Sequence, residues 1–215
     1  MTGALLPSGF LESSEPQPDP ASLPSPRRLV LNVGCGSGSG RLHPHFRGPE
    51  WREIRLDIDP GVRPDIIASI THMPTVANDT MDAVWSSHNL EHLHHHEVPL
   101  ALSEFMRVLK PGGLLLVALP DLQKVAQLVA ADRLDEAAYL SQSGPITPLD
   151  MMFGHSRSLA LGHHFMAHKT GFTPTTLLKS LLQAGFGDIL LRRGKEFDLW
   201  GRAYKPGPKN WAPAG

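Results

Sequence analysis

The stretch Arg28-Leu29-Val30-Leu31-Asn32-Val33 runs directly into Gly34-Cys35-Gly36-Ser37-Gly38-Ser39-Gly40, and this junction decides the fold. A short apolar, β-branched run bounded by glycines reads as a buried strand that ends in a loop. Glycine at Gly34, Gly36 and Gly38 omits the side chains that would hold a ligand away from the backbone, and the amides of a following helix would attract negative charge. A tight turn with no ligand would use the same residues. About twenty residues further on, Arg55-Leu56-Asp57-Ile58-Asp59-Pro60 places a carboxylate at the end of a second apolar run, where it can accept hydrogen bonds from two ribose hydroxyls. Asp57 is that carboxylate, and Asp59 reads as structural. A dinucleotide fingerprint would have glycine where Ser39 stands, which disfavours a pyrophosphate ligand.

Working outward, residues 54–57, 66–68, 83–86 and 114–119 are further short apolar runs, each followed by turn residues or a helical stretch. Such alternation predicts an α/β fold of parallel strands joined by helical crossovers. Leu102, Phe105, Met106 and Leu109 form one stripe of a helix that Pro99 can start and Pro111-Gly112-Gly113 must end. Thr173 as N-cap, Pro174, the leucines 177, 178, 181 and 182, and Gly185 at the exit signal a second helix. Residues 189–193 and 197–204, separated by Gly194-Lys195-Glu196, read as a closing hairpin.

Composition bounds the rest. A chain of 215 residues with 41% hydrophobic content fits one domain and a tail. Residues 1–26 are dense in Pro, Ser and acidic side chains and read as a disordered arm; 27–205 form the domain and 206–215 a flexible tail. With a formal net charge of −1 and scattered Lys and Arg, no nucleic-acid partner is expected. No apolar stretch approaches the roughly 20 residues of a membrane span, and the start lacks a secretory pattern, so the expected location is the cytoplasm, away from membranes. The oligomeric state is not legible.

Four blocks in order carry a resemblance: Leu31-Asn32-Val33-Gly34-Cys35-Gly36-Ser37-Gly38; Leu56-Asp57-Ile58-Asp59-Pro60; Asp82-Ala83-Val84-Trp85-Ser86-Ser87-His88-Asn89-Leu90-Glu91-His92; and Arg107-Val108-Leu109-Lys110-Pro111-Gly112-Gly113. Together they resemble class I S-adenosylmethionine-dependent methyltransferases, in particular the type 11-like branch. The resemblance implies a doubly wound, Rossmann-like sheet of seven mainly parallel strands whose last strand is antiparallel, which agrees with the C-terminal hairpin. It implies S-adenosylmethionine as cofactor, with Gly34, Cys35 and Gly36 at the methionine part and Gly38 among the cofactor-binding residues of the loop. It further implies Asp57 at the ribose, Ile58 on one adenine face, and Ser86 and Ser87 beside the sulfonium. Two positions depart from the pattern. Asn32 stands where an acid is common, and Ser69 where an Asp often binds the adenine amino group; both keep hydrogen-bonding capacity, and the Ile70 backbone can still read the adenine edge.

Methyl transfer from an activated sulfonium needs alignment first and a base only for protonated acceptors. His88 and Asp121, just beyond the fourth and fifth strands, are the candidate catalytic residues, although a packed imidazole and a loop cap explain them equally well. The long connection with Asp150 to His155 and His163 to Phe172 offers His155, Met166 and His168 for a small organic acceptor. Histidines cluster at 88–96 and at 155–168, but with one Cys in the chain, no helical His-x-x-x-His pair flanked by an acidic base in the first group, and His94 to His96 poorly placed to face one ion together, no metal is expected. Cys35 belongs to the glycine loop and reads as packing. A catalytically silent cofactor-binding protein and a nucleotide-dependent oxidoreductase are the alternative readings.

Overall fold

A computed structural model describes residues 27–37, 42–141 and 144–208; the arm, Gly38 and most of the tail lie outside them. Strand β1 (Arg28–Val33) occupies the expected run, and it is followed by β2 (Trp51–Asp57), β3 (Ile66–Ile67), β4 (Met81–Ser87) and β5 (Leu109–Pro120). Near the C-terminus β8 (Gly187–Arg193) and β9 (Asp198–Tyr204) complete a seven-stranded sheet of order β3-β2-β1-β4-β5-β9-β8. The pairs among β1 to β5 are parallel. β9 runs antiparallel to both β5 and β8, so the last strand alone is reversed and sits inside the hairpin's edge strand.

Period-two alternation assigns side chains to the two faces. Leu31 and Val33, Val84, Leu115 and Val117, and Leu199 and Ala203 join one core, against which lie helices α1 (Val98–Val108) and α5 (Pro174–Gln183). Ala101, Leu102 and Phe105 of α1 and Leu177 and Leu181 of α5 are fully buried there, at roughly 1.5–3 kcal/mol of hydrophobic stabilisation for each large side chain. Thr173 caps α5 as its sequence announces, in a reciprocal pair with Thr176. The opposite face buries Val30, Ala83 and Ala118 beneath Phe46, Trp51, Trp85 and Tyr204. There the Trp85 and Trp200 rings stack at 5.8 Å.

Two expectations about the connections need correction. Among the described residues, no α-helix joins β1 to β2, β2 to β3 or β3 to β4; two 3-10 turns, Pro44–Phe46 and Pro60–Val62, stand in their place. Pro44, Pro49, Pro60, Pro64 and Pro74 in these segments remove the amides a longer helix would need. Pro111-Gly112-Gly113 does not precede the fifth strand but lies inside it, where pairing begins at Met81 with Leu109 and resumes after an irregularity at Ala83 with Leu114. Asp82 braces this bend by accepting from the Leu29 amide and the Lys110 ammonium, each at 2.8 Å.

Between β5 and α5 the chain forms α2 (Leu122–Ala130), a small ribbon of β6 (Tyr139–Ser141) and β7 (Gly144–Ile146), then α3 (Pro148–Phe153) and α4 (Ser156–Ala160). These pieces overhang the carboxyl edge of β4 and β5.

Candidate active site

The glycine loop leaves β1 with Gly34 and Gly36 both left-handed, at φ +57° and +60°. Gly34 has no space for a side chain, because a Cβ there would fall 1.7 Å from Asn89 Oδ1. Asn89 is held in that position by donating to the carbonyl oxygens of Val33 (2.7 Å) and Ser87 (3.2 Å). The Gly36 amide donates to Asp57 Oδ2 at 2.8 Å, while Arg55 donates to the Gly36 carbonyl at 2.6 Å, so β2 grips the loop from both sides of the peptide. Cys35 is buried, its amide paired to the Leu56 carbonyl at 3.1 Å, and burial pushes its thiol pKa up; it is a packed thiol, not a thiolate.

Asp57 also accepts the Asp59 amide on Oδ1 at 3.0 Å. A carboxylate has about four acceptor sites, so the two amides leave capacity for hydroxyl donors. Asp59 caps the Pro60–Val62 turn through the Gly61 amide. Ile58, 46% exposed beside Asp57, presents an apolar side chain to solvent. Ser69 is engaged locally with Thr71 at 2.7 Å, and Ile70 packs on the main core. Asn32 is buried and donates to Glu53 at 2.6 Å, which ties its amide to β2. Ser86 is buried opposite Val33 of β1, and Ser87 faces the cavity described next.

A cavity of about 440 Å³ opens at the carboxyl edge of β4 and β5, between Ser87 and His88 on one side and Tyr139, Phe197 and Trp200 on the other. Tyr139 comes from the β6 ribbon and Phe197 and Trp200 from the C-terminal hairpin, and no spacing in the sequence signals that they meet at this cavity. Phe197 stands at φ +57° and stacks on Tyr139 at 6.2 Å. A second cavity of about 280 Å³ lies behind, lined by Glu91, Met151, Phe153 and His168.

His88, also left-handed at φ +52°, is half exposed in the first cavity, with Nδ1 3.1 Å from Glu91 Oε1. Glu91 is buried in the 3-10 turn Leu90–His92. Burial alone would raise its pKa, but the hydrogen bond from His88 and the charges of His88, His92 and His168 outweigh this and hold it below the usual carboxylate range. Burial pushes the His168 imidazole the other way, below its ordinary pKa.

Asp121 is fully buried and occupied. Its Oδ1 caps α2 through the Gln123 amide at 3.1 Å, its own amide donates to the Phe197 carbonyl, and Arg193 Nε lies 2.8 Å from Oδ2. It faces neither cavity. His155 bonds Ser158 at 2.8 Å and Met166 ends a 3-10 turn; neither lines these cavities, whereas His168 lines the second. The fold therefore gathers His88, Glu91, His92 and His168 and leaves His155, Met166 and Asp121 outside. The exposed His94, His95 and His96 lie on the surface.

The strand order, the single reversed strand and a glycine loop latched to a carboxylate at the end of β2 define a Rossmann-like fold of the class I methyltransferase type. Residues 31–117 match the family described as Methyltransferase domain. That match covers less than half of the chain. Over 96 residues, 41% of the chain, the sequence is 28% identical to malonyl-[acyl-carrier protein] O-methyltransferase of Dechloromonas aromatica (strain RCB). That match spans 35% of the relative's length. A SAM-dependent methyltransferase structure from Methanosarcina mazei superposes with a TM-score of 0.57 at 16% identity, covering 86% of this chain and 95% of that one. Haemonchus contortus phosphoethanolamine N-methyltransferase 2 in complex with S-adenosyl-L-methionine gives a TM-score of 0.55 at 11% identity over 86% of this chain and 50% of that one. At such identities the structures establish the shared fold. Among the described residues, no helix is long and apolar enough to cross a membrane.

Proposed function

We propose that this protein is an S-adenosylmethionine-dependent methyltransferase that acts on a small organic acceptor. The observation that carries the reading is the Asp57 carboxylate, which fixes the glycine loop through Gly36 and still has acceptor capacity at the carboxyl edge of the sheet. The residues present fit the cofactor. Left-handed Gly34 and Gly36 leave the backbone bare, Asp57 would take the ribose hydroxyls, and Ile58 would lie on one adenine face. Ser69 and the Ile70 backbone would meet the adenine edge, and Gly34, Cys35 and Gly36 the methionine part. Asn32, committed to Glu53, would support the loop from beneath. When bound, the cofactor supplies an activated methyl group.

The chain's own part is to align the acceptor and exclude water. Ser87, Tyr139, Phe197 and Trp200 bound a space adequate for a small molecule, in which aromatic walls stand beside the charged Lys195, Glu196 and Asp198 and suit an acceptor with a flat part and a polar part. His88 would take the acceptor's proton, oriented by Glu91 at Nδ1 as a carboxylate orients a catalytic imidazole. The malonyl-carrier methyltransferase relative is consistent with a carboxyl or hydroxyl oxygen as the acceptor atom. The test is transfer of label from S-adenosylmethionine to compounds in a metabolite extract, repeated with His88→Ala. On the identified acceptor, turnover should fall about a hundredfold with S-adenosylhomocysteine affinity unchanged. Full turnover in the variant would remove His88 from the chemistry, and no labelled product from any fraction would contradict the enzymatic reading.

A further inference from the structure

The two histidine groups lie far apart in the sequence, but the fold brings one member of each, His92 and His168, to the same buried carboxylate. Ligand atoms of Glu91, His92 and His168 all lie within 4.8 Å of one another. We infer that these three side chains form a site for a divalent transition-metal ion, with its remaining coordination positions open to the 280 Å³ cavity that Glu91 and His168 line.

Three independent features support it. Glu91 is 1% exposed and its Oε2 has no hydrogen-bond partner, an arrangement that a buried carboxylate rarely keeps without a cation to complete it. Its other oxygen is already engaged by His88, so Oε2 is the atom available to an ion. Both histidine rings turn Nδ1 to a backbone carbonyl, His92 to Ala167 at 3.2 Å and His168 to Met151 at 2.8 Å. An imidazole that donates Nδ1–H in this way keeps its lone pair on Nε2 and has its plane fixed, which is the outer-shell arrangement found around metal-bound histidine. Finally, the backbone is clamped so that the distant segment cannot drift. The Lys169 and Thr170 amides donate to the Glu91 carbonyl at 2.8 and 3.2 Å, and the His168 amide donates to the Phe153 carbonyl at 3.1 Å. The His92 and His168 rings are thereby held with centroids 5.0 Å apart.

Two imidazole nitrogens and one carboxylate oxygen suit zinc, cobalt, nickel or ferrous iron better than calcium or magnesium, which prefer all-oxygen shells. Three protein ligands leave at least one position vacant on such an ion. Because the cavity lies on that side, an oxygen-bearing molecule can ligate there, and metal binding itself does not depend on the methyltransferase reading.

The full chain, stripped with chelator, is titrated with Co(II) and followed by visible absorption and calorimetry. One ion should bind with the spectrum of mixed nitrogen and oxygen ligation, and Zn(II) should displace it. His92→Ala and His168→Ala should each weaken binding by at least about tenfold, the cost of disturbing even an outer-shell partner. Replacing His94, His95 and His96 together by Gln should leave it intact. Acetohydroxamate, an oxygen-donor probe, should shift the Co(II) bands. S-adenosylhomocysteine affinity, measured on every variant, reports folding separately and tests the methyltransferase reading on its own. Absence of stoichiometric binding, or binding retained in both His92→Ala and His168→Ala, would overturn the site; bands unmoved by acetohydroxamate would overturn its open position.

Discussion

The Asn89 side chain fills the space that a Cβ at Gly34 would need, so the glycine loop is shaped by a residue just beyond the carboxyl end of β4. Alanine at Gly34 would meet both a left-handed backbone and the Asn89 side chain, and Gly34→Ala should destabilise the fold by about 1–3 kcal/mol. In an Asn89→Ala background that penalty should shrink to the backbone component. Thermal unfolding of the four proteins of this cycle checks it, and equal penalties in both backgrounds would show that Asn89 does not restrict Gly34. Asp57 and Asp59 stand two residues apart with different duties. Asp57→Ala should weaken S-adenosylhomocysteine binding at least about tenfold, since charged hydrogen bonds contribute about 1.5–3 kcal/mol each. Asp59→Ala removes only a turn cap and should bind nearly as the parent does. Calorimetric titration of the pair checks this, and equal affinities would mean that the wrong carboxylate has been assigned.

At the scale of elements, Asp150 joins two short helices through one carboxylate. It accepts from the Thr147 amide and hydroxyl at the start of α3, and from the Ser156 amide and hydroxyl at the start of α4. Burial would raise its pKa, but these hydrogen bonds prevail and lower it from 3.8 to about 2. The unfolded chain therefore takes up the proton first as pH falls. The stabilisation is complete above about pH 4, is lost as pH falls toward 2, and is worth about 1–2 kcal/mol after solvent screening. Asp150→Asn should unfold more easily than the parent at neutral pH and lose that difference near pH 2. Denaturant midpoints across this range check it, and a difference that persists in acid would refute the assignment.

The elements legible in the sequence are those whose signals are local. β1 is bounded by its apolar run and glycines, and α5 by Thr173 and Pro174. Among the described residues the connections from β1 to β4 carry no α-helix, against the expectation that parallel strands need one, and the prolines of those segments supply the reason. Asp121 reads in the sequence both as a catalytic candidate and as a loop cap, and it is the cap, opening α2 with Leu122 and Val125 behind it, that the fold uses. The site divides the same way. Gly34, Gly36 and Asp57 lie in contiguous motifs, whereas Tyr139, Phe197 and Trp200, and the meeting of Glu91 with His168, depend on long-range packing that no spacing discloses.

Across the whole molecule, one edge of the sheet carries all the proposed chemistry, with the glycine loop at β1 and β2 and the cavities above β4 and β5. The two faces behind it are sealed by α1 and α5 on one side and by stacked tryptophans on the other, so the edge is rigidly backed. The same edge would receive a nicotinamide dinucleotide in an oxidoreductase, and the two readings separate by ligand. Calorimetry of the full chain against S-adenosylhomocysteine, NAD and NADP is the most direct measurement. A single site for S-adenosylhomocysteine and no heat of binding from either dinucleotide are expected; tighter binding of NAD or NADP than of S-adenosylhomocysteine would make the cofactor site a dinucleotide site instead.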